Sequence, residues 1–268
     1  MIKYAELRVR NYEDRRKQNL NFGFDISDWK SNPYSFIKAR LYIELSSIFA
    51  FFFQFTFITA NHISIAYCIS GILAGLLLIT NDNTLMIAGL VIFFLKGSLD
   101  WTDGLIARIR NQTSSVGHIL DTWGSHIGTI SLITSLGIYC FNISEDNIFL
   151  FLTIFILFLN IVDFKLFAYH QLFYELINDK IQLNLDKKEK EKQIEKKNNL
   201  FVIFLKNFMD GRARTVDTIC FLILLEVIFE INYFSKIIFL LYLIKTIIFC
   251  FGVFYVYYYK ERLEKEIR

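Results

Sequence analysis

A single proline, Pro33, interrupts a chain of 268 residues that is 54% hydrophobic and 17% aromatic, with a mean hydropathy of +0.39. Such a chain is too apolar for an ordinary soluble domain and falls in the membrane class. A large net charge is also missing. The 29 Lys and Arg and 26 Asp and Glu leave only +3, and no basic stripe is interleaved with aromatics, so the charge speaks for membrane topology and not for nucleic acid. No C-x-x-C pair occurs among Cys68, Cys140, Cys220 and Cys250. Each lies in an apolar stretch, the pattern of buried inert thiols and not of metal ligands or disulfides. Residues 1–40 lack the continuous apolar core of a cleavable signal peptide, so the first membrane span is expected to act as its own insertion signal.

What is present is a series of apolar runs near spanning length, at about 61–80, 84–107, 115–140, 147–170, 215–231 and 233–257. The connections on one side carry one Lys in total, whereas the other side has nine basic residues before Glu44, then Arg108, Arg110, a Lys-rich segment from Lys180 to Lys206, and Lys260 to Arg268. Six spans with both termini cytosolic satisfy the positive-inside rule throughout. Ahead of them, Asn32-Pro33 reads as a helix start. The Phe-rich helix that follows has an uncharged run of only about 16 residues, so it is expected to lie at the interface. The fold expected is therefore all-α: a polytopic membrane bundle of six helices preceded by an amphipathic interfacial helix. Its parts are a polar cytosolic arm (1–32), the interfacial helix (33–59), the membrane domain (60–260) with a charged cytosolic loop at about 178–200, and a cytosolic tail (261–268).

Asp100, Asp103 and Asp121 lie within two of these spans. Ionised carboxylates at membrane depth are costly and repel one another, and shared divalent cations are the simplest way to hold them together. Asp100 and Asp103 are three residues apart and share a helix face, and Asp121 of the next span falls at the same level. Both helices bring the site toward the cytosolic surface, within reach of a water-soluble ligand and open sideways to the bilayer. A purely structural carboxylate network tied to Arg108 or to hydroxyls is the other reading. Gly71-x3-Gly75 and Gly124-x3-Gly128 offer close helix packing, within the bundle or in a homodimer.

Between Asp100 and Ser125 the chain resembles the CDP-alcohol phosphotransferase family, whose pattern is D-x2-D-G-x2-A-R-x8-G-x3-D-x3-D. Asp100, Asp103, Gly104, Ala107, Arg108, Gly117 and Asp121 fill seven of the eight positions in register. The resemblance implies attack of an acceptor hydroxyl on the β-phosphate of a CDP-linked donor, with CMP leaving. It also implies two divalent ions, Mg²⁺ or Mn²⁺, on the three aspartates, the Gly104 carbonyl assisting the metal, and Ala107, Arg108 and Gly117 lining the nucleotide. Ala60-Asn61-His62-Ile63-Ser64 resembles the Pro-Asn-x-x-Thr that opens the first span in many members. Asn61 then either caps that helix or meets the donor phosphates, with Ser64 in the place of Thr.

The departure is Ser125, which stands where the family has its last Asp, usually assigned as the base. A serine lacks useful basicity near neutral pH. His126 is adjacent but rotated about 100° around the helix, and His118 lies about 10 Å away along the axis, so each is a weak substitute. Lys165 either reaches toward the headgroups or, with Arg212 or Arg214, holds an anionic acceptor. The expected function is a membrane transferase acting on a CDP-alcohol or CDP-diacylglycerol donor and a lipid or small alcohol acceptor. The alternative is an impaired relative that binds a CDP-linked nucleotide or a membrane partner. A small transporter would also place Asp in spans, but would leave the Ala-Arg and Gly offsets unexplained.

Overall fold

A computed structural model describes residues 2–21, 25–29, 33–80, 82–161, 213–231 and 233–259. Lys165 and Arg212, the Lys-rich loop and the C-terminal tail lie outside these residues, as does the side chain of Arg214. Among the described residues all regular structure is helical: α1 (Tyr4–Asn21), α2 (Pro33–Phe53), α3 (Ala60–Leu78), α4 (Asn83–Leu95), α5 (Gly97–Ile109), α6 (Ser115–Ser144), α7 (Ile148–Ile161), α8 (Ala213–Phe229) and α9 (Phe234–Tyr259). Four stretches of the described residues are long and apolar enough to cross a membrane: Ala60–Leu78, Asn83–Ile109, Val116–Ser144 and Phe234–Gly252. Of the six expected spans, the one at 147–170 is described only as far as Ile161, and α8 has 17 residues.

The chain forms two compact units, one of residues 1–135 and 216–228, the other of 136–215 and 229–268. In the second, Gly137 lies directly against the Thr153 side chain, Phe149 meets Phe239 edge to face at 5.7 Å, and Lys245 Nζ donates to Thr215 Oγ1 at 3.0 Å. Cys68, Cys140 and Cys220 are buried, as their apolar settings led us to expect, and Cys250 is half-buried.

The first unit carries the motif. Pro33 opens α2, where its missing N–H and fixed φ cost nothing. The 1–32 arm, read from the sequence only as polar, contains a full helix, and α1 is fixed to α2 mainly by polar side chains. Asn11 is fully buried and its amide donates to Ser46 Oγ at 2.8 Å and Ser47 Oγ at 3.1 Å. The Tyr4 hydroxyl and Arg8 Nε both donate to Glu44, at 2.8 and 2.5 Å. Tyr4, Leu7, Asn11 and Arg15 fall on one helical face. That face turns the end of α1 toward the motif.

α4 and α5 would be one long helix but for a break at Lys96. The Tyr42 hydroxyl donates to the Phe94 carbonyl, and its ring fills the space beside Gly97, where a Cβ would come within 2.6 Å of it. The inserted hydroxyl sits where the ladder between α4 and α5 is interrupted. α5 then buries Leu105 and Ile106 in a cluster with Ala50, Ala60 and Ile63. At its end, the Arg110 guanidinium donates to the carbonyls of Phe53, Thr56 and Ile58 at 2.6–2.9 Å, fastening the α2–α3 connection.

The small residues noted in the sequence pack within this unit. A Cβ on Gly71 would lie 3.1 Å from the Gly128 Cα, and Gly75 faces Ser131 across the same α3–α6 contact. Gly89 is tighter against backbone, at 2.7 Å from the Ala74 carbonyl oxygen and 3.1 Å from Leu78 N. Gly89→Ala is therefore expected to destabilise the protein by about 1–3 kcal/mol through forced separation of α3 and α4. Thermal melting of the detergent-solubilised variant reads this directly, and an unchanged melting temperature would count against so close an approach.

Candidate active site

α5 is the element on which the site is built. Thr102, Leu105 and Ile106 are buried, while Asp100 and Asp103, one turn apart, share another face. Asp103 is 7% exposed and its carboxylate accepts a hydrogen bond from the Ser64 hydroxyl at 2.5 Å. Asp100 faces Asp121 of α6, and the two carboxyl groups interact electrostatically. The three aspartates singled out by the motif are thus neighbours, and Ser64 is joined to them.

The rest of the motif falls around this trio. The Asn61 side-chain oxygen lies 3.4 Å from where a Cβ of Gly117 would stand, so α3 and α6 approach at that glycine. Asn61 is not the helix cap. Thr59 is, with His62 completing a capping box at 3.3 and 3.4 Å. Ala107 packs on the apolar cluster of Ala50, Ala60, Ile63, Leu105 and Ile106. Ser125 is exposed, one turn beyond Asp121, and neighbours the buried Tyr67. His118 is exposed and His126 half-buried.

Charge of the opposite sign comes from an unexpected element. Arg15 of α1 stacks its guanidinium 4.4 Å from the centre of the Trp101 ring and faces Asp100, Asp103 and Asp121. Burial lowers its hold on its proton, and the three carboxylates work against that loss. Its neighbour Asp14 accepts from Arg108 Nε at 2.9 Å. A second cation, Lys96, is 8% exposed at the α4–α5 break, with Nζ 4.1 Å from the centre of the Tyr67 ring and within the field of Asp100. Sequence reading counted Arg15 only among the nine basic residues before Glu44 and passed over Asp14, Lys96 and Tyr67. A lone Lys one turn before Asp100 in an apolar run was the available signal for Lys96.

Three carboxylates are the right chemistry for a hard divalent ion. Their arrangement is not. Among the described residues no group of three or more His, Cys, Asp or Glu side chains could hold a metal ion. Asp103 accepts from Ser64, Asp100 and Asp121 face each other, and Arg15 supplies the balancing charge. The residues as placed do not fit the two-metal site that the resemblance implied.

Helices able to cross a bilayer, with an acidic site buried among them, define a multi-pass membrane protein. Residues 57–183, just under half of the chain, match the family model described as CDP-alcohol phosphatidyltransferase, and the recognition made from the motif stands on that match. The chain is also similar to inner membrane protein YnbA of Escherichia coli (strain K12), with 36% identity over 76 residues, 28% of this chain and 38% of that protein. The chain thus matches less than half the length of that relative. Helices α1 and α2 precede the family segment.

Proposed function

We propose that the protein is a membrane transferase that moves a substituted phosphate from a CDP-alcohol or CDP-diacylglycerol to an acceptor hydroxyl, releasing CMP, at the cytosolic side of the membrane. The observation that carries this reading is the gathering of Asp100, Asp103 and Asp121 beside Arg108 and Gly104, within the segment that matches the family. Arg108, held at Nε by Asp14, presents the rest of its guanidinium to a phosphate. The acceptor oxygen attacks phosphorus, the bond to the CMP oxygen breaks, and the acceptor proton passes to a carboxylate. Asp121, one turn from Ser125 on the same helix face, is the group placed to take that proton at its Oδ atoms. The interfacial position of α2 and the cytosolic location of both termini belong to the same proposal.

CMP release by the purified protein with a panel of CDP-alcohols tests it. The same assay run in EDTA and with added Mg²⁺ or Mn²⁺ reads the metal dependence that the family implies. Ser125→Asp restores the family's last carboxylate and is expected to raise the rate by about a hundredfold, the usual worth of general-base help. One observation favours a second reading, a catalytically impaired relative. The exposed Ser125, beside Tyr67, brings no carboxylate to this position. A silent wild type that gains CMP release as Ser125→Asp would establish that reading, whereas release by the wild type removes it.

A further inference from the structure

Outside the family segment, α1 carries an Asp14-Arg15 pair that engages the motif with one side chain of each sign. Two donors in this region lack an acceptor among the described residues: Arg15 Nε and Arg108 Nη2, both fully buried. Buried N–H groups without partners are rare and costly, and each calls for an explanation. These two belong to guanidinium groups that converge on one glycine. A Cβ on Gly104 would stand 3.2 Å from Arg108 Nη1 and 3.8 Å from Arg15 Nη2. Each guanidinium is also held at another edge: Arg108 Nε by Asp14 at 2.9 Å, and Arg15 Nη1 by Gln18 Oε1 at 3.2 Å, with the Arg15 plane against Trp101. Like charges held together over a surface without a side chain, with N–H groups left over, form the receptor for an anion with several oxygens.

We propose that Arg15 is a substrate-binding residue supplied by α1, and that Arg15 and Arg108 clamp the diphosphate of the donor over Gly104, with Asp14 and Trp101 as the positioning residues. The inference rests on the transferase reading above. It makes α1 part of the active site although it lies before the matched segment. A rival explanation is that Arg15 only balances the charge of the three aspartates. The two differ in what a lysine can do. An ammonium keeps the charge but has neither the planar fork nor the Nε donor, so Arg15→Lys would suffice for charge balance and fail as a clamp.

The test is binding of CDP, UDP, cytidine and inorganic pyrophosphate to the full-length protein in nanodiscs, measured by titration calorimetry. We expect Arg15→Ala to weaken CDP and pyrophosphate by about tenfold or more, the loss of charge-assisted hydrogen bonds, while cytidine binds as before. Arg15→Lys is expected not to restore CDP binding. Arg16→Ala, which removes an exposed partner of Asp25, should bind all four as the wild type does. CDP binding unchanged in Arg15→Ala, or fully restored in Arg15→Lys, overturns the clamp and leaves the transferase reading intact. Loss of cytidine together with CDP, with a lowered melting temperature, also overturns it in favour of a structural role. Pyrophosphate binding that depends on Arg15, with no preference for CDP over UDP, supports the clamp and overturns the CDP-transferase reading.

Discussion

Asp121→Asn is expected to lower CMP release by about a hundredfold or more while leaving the protein folded, since removing one fixed charge from a reacting site typically costs that much. The substitution is nearly isosteric, and the new amide can hydrogen-bond to Asp100, so the α5–α6 contact survives. What is lost is a negative charge one turn from Ser125 and one of the three that face Arg15. Relief of repulsion between Asp100 and Asp121 should leave the melting temperature unchanged or slightly raised. Lost activity in a stable protein separates a chemical role from a structural one. Ser64→Ala makes a useful comparison: it removes the donor that orients Asp103 but no charge, and a fall of about tenfold is the scale for one charged-group hydrogen bond. Full turnover by Asp121→Asn would rule out Asp121 as the proton acceptor and send the search for a base to another part of the molecule.

The residues that sequence reading brought together are those whose reason for being there is local. Asp100, Asp103, Gly104, Arg108, Gly117 and Asp121 stand at helical spacings on two consecutive helices, so periodicity alone places them on neighbouring faces. The glycine pairs were legible as close packing for the same reason, although partner choice was not. Gly71 meets Gly128, and both belong to this chain. α1 was not legible, because its buried face carries Asn11, Tyr4 and Arg15 in place of an apolar stripe. Periodicity arguments look for a run of hydrophobic residues, and this face offers only Leu7 among polar groups. The break at Lys96 was hidden for a different reason. It is met by Tyr42, 54 positions earlier in the chain, which takes the Phe94 carbonyl and fills the space beside Gly97. Arg15, which brings the balancing charge to the aspartates, is likewise far from the motif in sequence.

The second large effect is expected away from the reacting groups, at Lys38 and Asp217. The ammonium of Lys38 and the hydroxyl of Tyr34 both donate to Asp217 Oδ2, and Lys38 also donates to Tyr34 at 2.9 Å. The side chains of Lys38 and Asp217 are only 11% and 6% exposed. Removing either partner leaves an uncompensated buried charge, so Asp217→Ala and Lys38→Met should each cost about 3 kcal/mol or more. Replacing both with apolar groups of similar size should recover most of that loss, because neither charge then remains to be desolvated. The melting temperatures of the two single variants and of Lys38→Met/Asp217→Leu measure this, and a double variant no more stable than the singles would contradict it. The pair also reaches the active site indirectly. Lys38 lies 4.9 Å from the centre of the Tyr42 ring, and Tyr42 sits at the break from which α5 carries Asp100. Loss of CMP release in the single variants should therefore follow loss of fold and return with it in the double variant, to within about tenfold of the wild type. A double variant that melts normally but releases no CMP would instead place Lys38 and Asp217 in contact with the substrate.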